Sequence, residues 1–304
     1  MTIKSQLKTE IKNKFNINID DYCPKNDEDA WLLYPNYNFI YNKIFICQIQ
    51  NLSYAPMPIL PNKYPVVIKP IINLMGMGIN AIKINNAEEF LVHYNNSHFW
   101  SEFIYGTHHS WDLIIKNGEI QYICCFKGHK DNKKFGTFKY WSLQKKFNIP
   151  SIINKLVLDH FKKYTGCINI ETINNKIIEC HLRMGDIDQL PKNFLRLILL
   201  NYINKIPDIK EEFKKLILDV DIYLFPVWQT IKEYHDLNNI YNYLKISWEQ
   251  KLIDMDDIIM YYFDNIEHAH PNKYKRWFLF SINNYDDGLK LKNKIENDIN
   301  IKFL

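Results

Sequence analysis

The segment Ile168-Asn-Ile-Glu171-Thr-Ile-Asn-Asn-Lys-Ile-Ile-Glu179-Cys-His181-Leu-Arg183 constrains the fold more than any other, since two β-branched runs flank an Asn-Asn-Lys turn and predict an antiparallel hairpin. Its register decides the chemistry. With Asn174, Asn175 and Lys176 as a three-residue loop, Glu171 falls opposite Glu179 and Asn169 opposite His181, whereas a two-residue loop would separate them. Side chains alternate along a strand, so Glu179, His181 and Arg183 share a face by parity alone. Two carboxylates, an imidazole and a guanidinium brought together suit a divalent metal and phosphate. The plain alternative is a solvent-facing hairpin with ordinary surface charges.

A chain of 304 residues can bury a substantial core, as one elaborate domain or two of ordinary size. The net charge of +4 is spread over many lysines without a dense basic block, which argues for solubility and against a nucleic-acid surface. Arginine is scarce: Arg183, Arg196 and Arg276 stand beside 35 lysines, so a planar bidentate donor within the carboxylate cluster stands out. The six cysteines show no C-x-x-C spacing and no signal peptide opens the chain, which predicts a reduced, cytoplasmic setting. The most apolar run, residues 194–203, is about half the length of a membrane span and reads as a core helix.

Eight of the nine glycines lie between Gly76 and Gly185, which places the tight turns there. Residues 41–52 read as a helix, 64–70 as a buried strand, 79–84 as a returning strand after a glycine loop, and 87–94 as a helix started by Asn86 and Glu89. Closely spaced strands follow at 99–104, 110–115 and 119–126, the last two joined across Asn117-Gly118. Residues 151–164 carry the helical period, with Gly166 as the C-terminal cap. Helical patterns at 193–205, 209–218 and 230–243, a late strand at 277–282 and a final amphipathic helix complete the chain. The expected class is α+β: antiparallel sheets flanked by helices, with a mainly helical C-terminal region. The expected units are an N-terminal segment and helix over 1–60, a core over 61–190, and the helical region over 191–304.

Lys69 ends a hydrophobic strand and is followed within ten residues by Gly76 and Gly78, an arrangement that can hold an ammonium and a flexible backbone over phosphates, although no Walker loop is present. A snorkelling lysine before a plain turn explains the same residues. Lys43 could reach the same phosphates. The stretch Glu102 to Asp112 sets polar groups at both ends of a strand-to-strand turn, where a nucleoside could be met. His268-Ala-His270 has metal-compatible spacing, but Pro271 and the lack of a nearby third ligand favour a loop.

In order, these pieces resemble the ATP-grasp superfamily over residues 31–188: a Lys on a helix, a Lys ending a strand, a glycine loop, an E-x-x-x-G turn, an acidic strand and an E-x-[N]-x-R strand. The resemblance implies an ATP-dependent ligase that joins a carboxylate to an amine or thiol through an acyl phosphate, with Mg2+ and ATP bound between two sheets. Lys43, Lys69 and the 73–80 loop with Gly76 and Gly78 would hold phosphates. Glu102, Phe103 and Ile104 would hold adenine, with His108 near the ribose. Glu171, Glu179 and His181 would bind magnesium, and Lys69 and Arg183 would act on the transferring phosphoryl group. His181 stands where the family usually has a metal-binding Asn, and His108 where it has an acidic residue. The segment before residue 31 is too short for the usual preceding domain, so the region after 190 is expected to build the acceptor site. The partners implied are ATP and a small-molecule or peptide carboxylate, without membrane or nucleic acid, in a monomer or a homodimer. A kinase of the same superfamily, a degenerate ATP-binding scaffold and a single-stranded nucleic-acid binder are the competing functions.

Overall fold

The computed structural model describes residues 3–76, 78–93, 95–131, 136–216, 220–230, 237–264 and 274–303. Two antiparallel sheets dominate it. The smaller consists of β1 (Tyr54–Pro56), β2 (Val66–Pro70), β3 (Ile82–Ile84) and β4 (His98–Glu102), in the order β1-β4-β2-β3. On β2, Val66 and Ile68 pack with Ile84, Phe90 and Trp100 in a small core. Alternation therefore leaves Val67 and Lys69 on the opposite face, where both line a cleft.

The larger sheet takes β5 (His108–Lys116), β6 (Glu119–Lys130), β7 (Phe138–Leu143), β8 (Gly166–Ile173), β9 (Lys176–His181), β10 (Tyr223–Thr230), β11 (Ile258–Phe263) and β12 (Tyr274–Ile282), in the order β11-β12-β10-β7-β6-β5-β8-β9. One apolar cluster joins Ile114, Cys124 and Cys167 of this sheet to Leu195, Ile198 and Leu199 of the helix Lys192–Tyr202. A second joins Trp111, Leu113, Ile168 and Ile170 to Ile153, Leu156 and Val157 of the helix Ser151–His160. With both faces covered, the strands read as apolar runs, which is why their burial outweighs their alternation.

Asn117 and Gly118 turn β5 into β6 with φ of 51° and 81°, as the Asn-Gly signal predicts. The hairpin of β8 and β9 reaches its expected register by a different route. Asn174 and Asn175 form a two-residue turn, both with positive φ (48° and 62°), and a bulge between Glu171/Thr172 and Ile177 absorbs Ile178. Glu171 is thereby set opposite Glu179 and Asn169 opposite His181, although the loop has two residues and not three. The edge of β9 is engaged by Gln50, whose side-chain amide accepts from Ile177 N–H at 2.9 Å and donates to Ile177 C=O at 2.6 Å.

Several boundaries differ from the sequence expectation. Residues 35–41 are tight helical turns, and the helix proper is Lys43–Gln48, capped by Asn42, whose side-chain oxygen accepts from Ile44 N–H at 2.9 Å. The helix expected to run to 164 ends at His160. Gly166 does not cap it but opens β8 at φ +152°, where a Cβ would lie 2.9 Å from Tyr164 Oη and 3.0 Å from Tyr202 Cε1. The glycine is required by two tyrosines closing over the backbone. After residue 190 the helices Lys192–Tyr202, Ile209–Lys215, Leu237–Leu244 and Tyr285–Phe303 match the helical patterns, while residues 231–236 of one pattern lie outside the described residues. The late strand is β12, but β10 and β11 were not foreseen. Pro226 hides β10: strand β7 pairs only with Tyr223 and Leu224, so the proline sits beyond the end of that ladder.

Candidate active site

A cleft of about 820 Å³ lies between the two sheets, and all twelve residues singled out from the sequence line it. From the smaller sheet and its loops come Lys69, Gly76, Gly78, Glu102, Phe103 and Ile104; from the larger sheet come His108, Glu171, Glu179, His181 and Arg183; Lys43 opens the intervening helix.

The phosphate-type end is basic and glycine-turned. Gly76 and Gly78 have φ of 65° and 62°, a left-handed backbone that suits glycine. Asn73 stabilises the turn, its side chain accepting from Met75 N–H at 3.0 Å and donating to Gly76 C=O at 3.0 Å. A Cβ on Gly76 would lie 3.9 Å from Arg183 Nη2, so this loop lies against the guanidinium. Lys69 is desolvated, which pushes its pKa below the usual lysine value, and neighbouring Lys43 acts in the same direction. Lys83 on β3 also lines the cleft, 4.6 Å from the Phe103 ring centre.

At the hinge between the sheets, Glu102 accepts from Ser53 N–H through Oε1 at 3.1 Å, and Phe103 N–H donates to Pro65 C=O at 3.3 Å. These bonds fix the turn in place and commit the Phe103 N–H to the fold.

Each carboxylate of the hairpin has a cationic or imidazole neighbour. Glu171 Oε2 lies 2.9 Å from His108 Nε2. Burial raises its pKa, but the His108 hydrogen bond and the charges of His181 and Arg183 outweigh this and hold the carboxyl below its usual range. His108 thus meets a carboxylate, with its ring edge-on to Phe138 and Trp141. Glu179 Oε1 lies 2.8 Å from Lys43 Nζ, yet this buried oxygen has a charge partner without a hydrogen bond. Such an under-satisfied carboxylate, opposite a second one on the paired strand, fits a hard divalent cation. Among the described residues no three His, Cys, Asp or Glu side chains form a ready-made metal cage, which leaves polyphosphate oxygens to complete any shell.

Beneath the hairpin is a residue absent from the sequence reading. Asp27, 2% exposed, accepts from Tyr41 Oη at 3.1 Å, from His181 Nδ1 at 3.0 Å and from Arg183 Nη2 at 3.1 Å. Burial opposes its ionisation, but the Arg183 and His181 charges prevail and hold it well below the carboxylate range. Asn26 caps the helix Asp27–Leu33 by accepting from Asp29 N–H, the one local signal that could have pointed to this position.

On the other side, Asp112 is fully buried on β5 and accepts from Gly185 N–H at 2.6 Å and Ile187 N–H at 3.0 Å. Burial, with nearby Asp186, raises its pKa to about 7 despite those bonds. Asp186 itself is pushed up to about 6, by burial first and then by Glu171. The cleft continues past Asp186 to Tyr262 and to Arg276, whose guanidinium grips Asp264 through two bonds of 2.6 and 2.9 Å. His268 and His270 lie outside the described residues.

Two antiparallel sheets that close on a cleft with lysines and a glycine loop on one side and paired carboxylates on the other define a protein of the grasp architecture. A family model described as an ATP-grasp domain matches residues 40–179. L-amino acid ligase from Bacillus licheniformis superposes with a TM-score of 0.58 at 12% identity, covering 97% of this chain and 82% of that one. N5-carboxyaminoimidazole synthase from Aspergillus clavatus, in complex with ADP and 5-aminoimidazole ribonucleotide, gives 0.57 at 7% identity over 88% and 75% of the two chains. Phosphoribosylglycinamide synthetase from Anaerococcus prevotii gives 0.53 at 11% identity over 98% and 86%. No curated protein matches the sequence. Residues 40–179 thus match the ATP-grasp domain, and the chain as a whole has the fold of ATP-grasp structures. Among the described residues no helix is long and apolar enough to cross a membrane.

Proposed function

We propose that this protein is an ATP-dependent, ADP-forming ligase that activates a carboxylate as an acyl phosphate and transfers the acyl group to an amine or thiol. One observation carries the reading: residues spread from Lys43 to Arg183 converge on one cleft, with cations facing paired carboxylates. Lys43, Lys69, Gly76 and Gly78 would hold the phosphate chain, and the Glu102 to Ile104 hinge would hold the base. Glu171 and Glu179 would hold magnesium, which would supply charge neutralisation on the phosphate chain. A substrate carboxylate oxygen attacks the γ-phosphorus as the bond to ADP breaks; the amine or thiol then adds to the acyl carbon, phosphate leaves, and the nucleophile's proton is released. Arg183, tied to Asp27, is set to neutralise charge on the moving phosphoryl group. No protein nucleophile is required. The acceptor would enter at the end of the cleft lined by Asp186, Tyr262 and Arg276. The setting is proposed to be cytoplasmic.

Glu179→Gln is expected to abolish ADP formation across panels of carboxylates and amines while the circular dichroism spectrum stays unchanged; retained turnover would rule the ligase out. The pairing of Glu171 with His108 and of Glu179 with Lys43 supports a second reading, a binding protein that has lost catalysis. That reading expects ADP to bind without magnesium and no turnover with any acceptor.

A further inference from the structure

The tight helical turn Asp186–Gln189 lines the far end of the cleft, and with about three residues per turn it sets Asp186 and Gln189 on one side. The turn is held from below and from beside: Asp112 accepts from Gly185 N–H at 2.6 Å and Ile187 N–H at 3.0 Å, and Ser281 Oγ donates to Gln189 C=O at 3.0 Å. Gln189 is 3% exposed, and its side-chain Nε2 donates to Asp188 Oδ1 at 2.8 Å. That bond fixes the amide, since the flipped group would set oxygen against a carboxylate. Gln189 Oε1 is left buried with no hydrogen-bond partner among the described residues, a site that calls for a donor. Of the acids at this end, Asp188 is paired with Lys4 at 3.5 Å and Asp264 with Arg276. Asp186 has a hydrogen bond with Ser110 and, among the described residues, no ion pair; Arg276 acts on it only as a more distant charge. The neighbouring wall is apolar. Ser281, which holds Gln189, pairs with Met260, and two residues along the same ladder Tyr262 pairs with Leu279, which pairs in turn with Pro226. Residues directly opposite on paired strands share a face, and all three of these line the cleft.

We infer that this end of the cleft takes a primary amine carried on an apolar chain, its ammonium received by Asp186 and Gln189 Oε1 and its chain laid along Tyr262, Leu279 and Pro226. The inference rests on the ligase reading above and names the acyl acceptor of that reaction. An ammonium brings a positive charge and several N–H donors, so it satisfies the unpaired carboxylate and the orphaned amide oxygen together. A thiol brings one weak donor, and its thiolate would be repelled by Asp186. Nor is a second charge on offer to an acceptor that also carries a carboxylate, because Asp264 holds the Arg276 guanidinium through bonds of 2.6 and 2.9 Å. An amine on a bare aliphatic or aryl-alkyl chain therefore fits better than an amino acid. The apolar strip rewards the length of that chain, since each methylene laid against it leaves water.

The test is isothermal titration calorimetry of the full chain, with Mg2+ and ADP present, against n-hexylamine, phenethylamine, 2-phenylethanethiol and L-phenylalanine. At least one of the two amines is expected to bind about 10-fold or more tightly than the thiol and L-phenylalanine. Asp186→Asn should weaken amine binding by about 10- to 100-fold and Gln189→Leu by about 3- to 10-fold, with ADP still bound. Amine binding that Asp186→Asn leaves unchanged would overturn the inference. So would tighter binding of L-phenylalanine that the same variant weakens, since Arg276 would then be serving a carboxylate. If ADP binds and neither amine does, the inference falls and the nucleotide site stands; if ADP does not bind, the ligase reading falls with it.

Discussion

Asp112 occupies a position where charge and backbone hold each other in balance. Its two oxygens receive the N–H groups of Gly185 and Ile187, and Asn169 Nδ2 adds a longer contact at 3.3 Å. A side chain at 185 has no room, since a Cβ there would lie 2.3 Å from Asn169 Nδ2, so the loop that carries Asp186 towards the cleft is pinned at one glycine. Asp112 and Asp186 both bind a proton more tightly in the folded chain than in the unfolded one, at about 7 and about 6. The folded state therefore holds extra protons above the unfolded carboxyl value, and the stability they confer is lost as pH rises from about 4 through 7. Asp112→Asn should flatten this dependence, measured as urea midpoints between about pH 5 and pH 7.5; identical slopes in the two proteins would mean that Asp112 is ionised throughout. The substitution also turns an amide donor towards one backbone N–H, at an expected cost of about 1–3 kcal/mol. None of this was legible in the sequence, where Asp112 is one acid on an apolar strand and its partners lie from 57 to 75 residues away.

Among elements, the hairpin of β8 and β9 shows how a local rule can reach the correct pairing through the wrong loop. The sequence contains the strands, the asparagines and the facing of Glu171 with Glu179. It does not reveal that a left-handed pair of asparagines would be chosen, with Ile178 expelled as a bulge to restore the register. Turn length and bulge are decided together, by the twist of the strands and the burial of Ile177 and Cys180, both 1% exposed or less. If the left-handed turn sets this register, Asn175→Val should destabilise the chain by about 1–2 kcal/mol, whereas Asn175→Gly should be neutral or slightly stabilising; chemical denaturation of the pair measures the difference. The turn of the Asn117-Gly118 hairpin was legible, but the bulge that leaves Gln121 unpaired opposite Ile114 and Ile115 was not. Strand β11 was missed because it is a continuous apolar run within helical surroundings, where strand and buried helix cannot be distinguished by periodicity, and β10 because Pro226 interrupts it.

For the molecule as a whole, the order of motifs from Lys43 to Arg183 was sufficient to assemble the cleft, because each motif ends a strand or a turn that the two sheets bring to one place. The partners that hold those motifs, Asp27 under the hairpin and Arg276 with Asp264 at the far end, come from outside that order, and apart from the Asn26 cap beside Asp27 the sequence carries no local signal for them. A ligand that bridges both sheets should stabilise the whole chain. At a hundred times its dissociation constant, magnesium or manganese with ADP is expected to add about 2.7 kcal/mol, raising the thermal midpoint by several degrees. The same ion without nucleotide should add much less, and equal shifts would mean that the phosphates contribute nothing.

The Gln50 amide bonded to Ile177 has a bearing on how the molecule behaves in a crowd. Strand β9 is the last in the larger sheet, and an open outer strand is a template on which another chain can extend the sheet. By imitating a peptide group, Gln50 occupies one N–H and one C=O of that border with the chain's own atoms. At Ile177 the border of the carboxylate hairpin is thereby taken up by the chain's own atoms, beside the strand that carries Glu179 and His181.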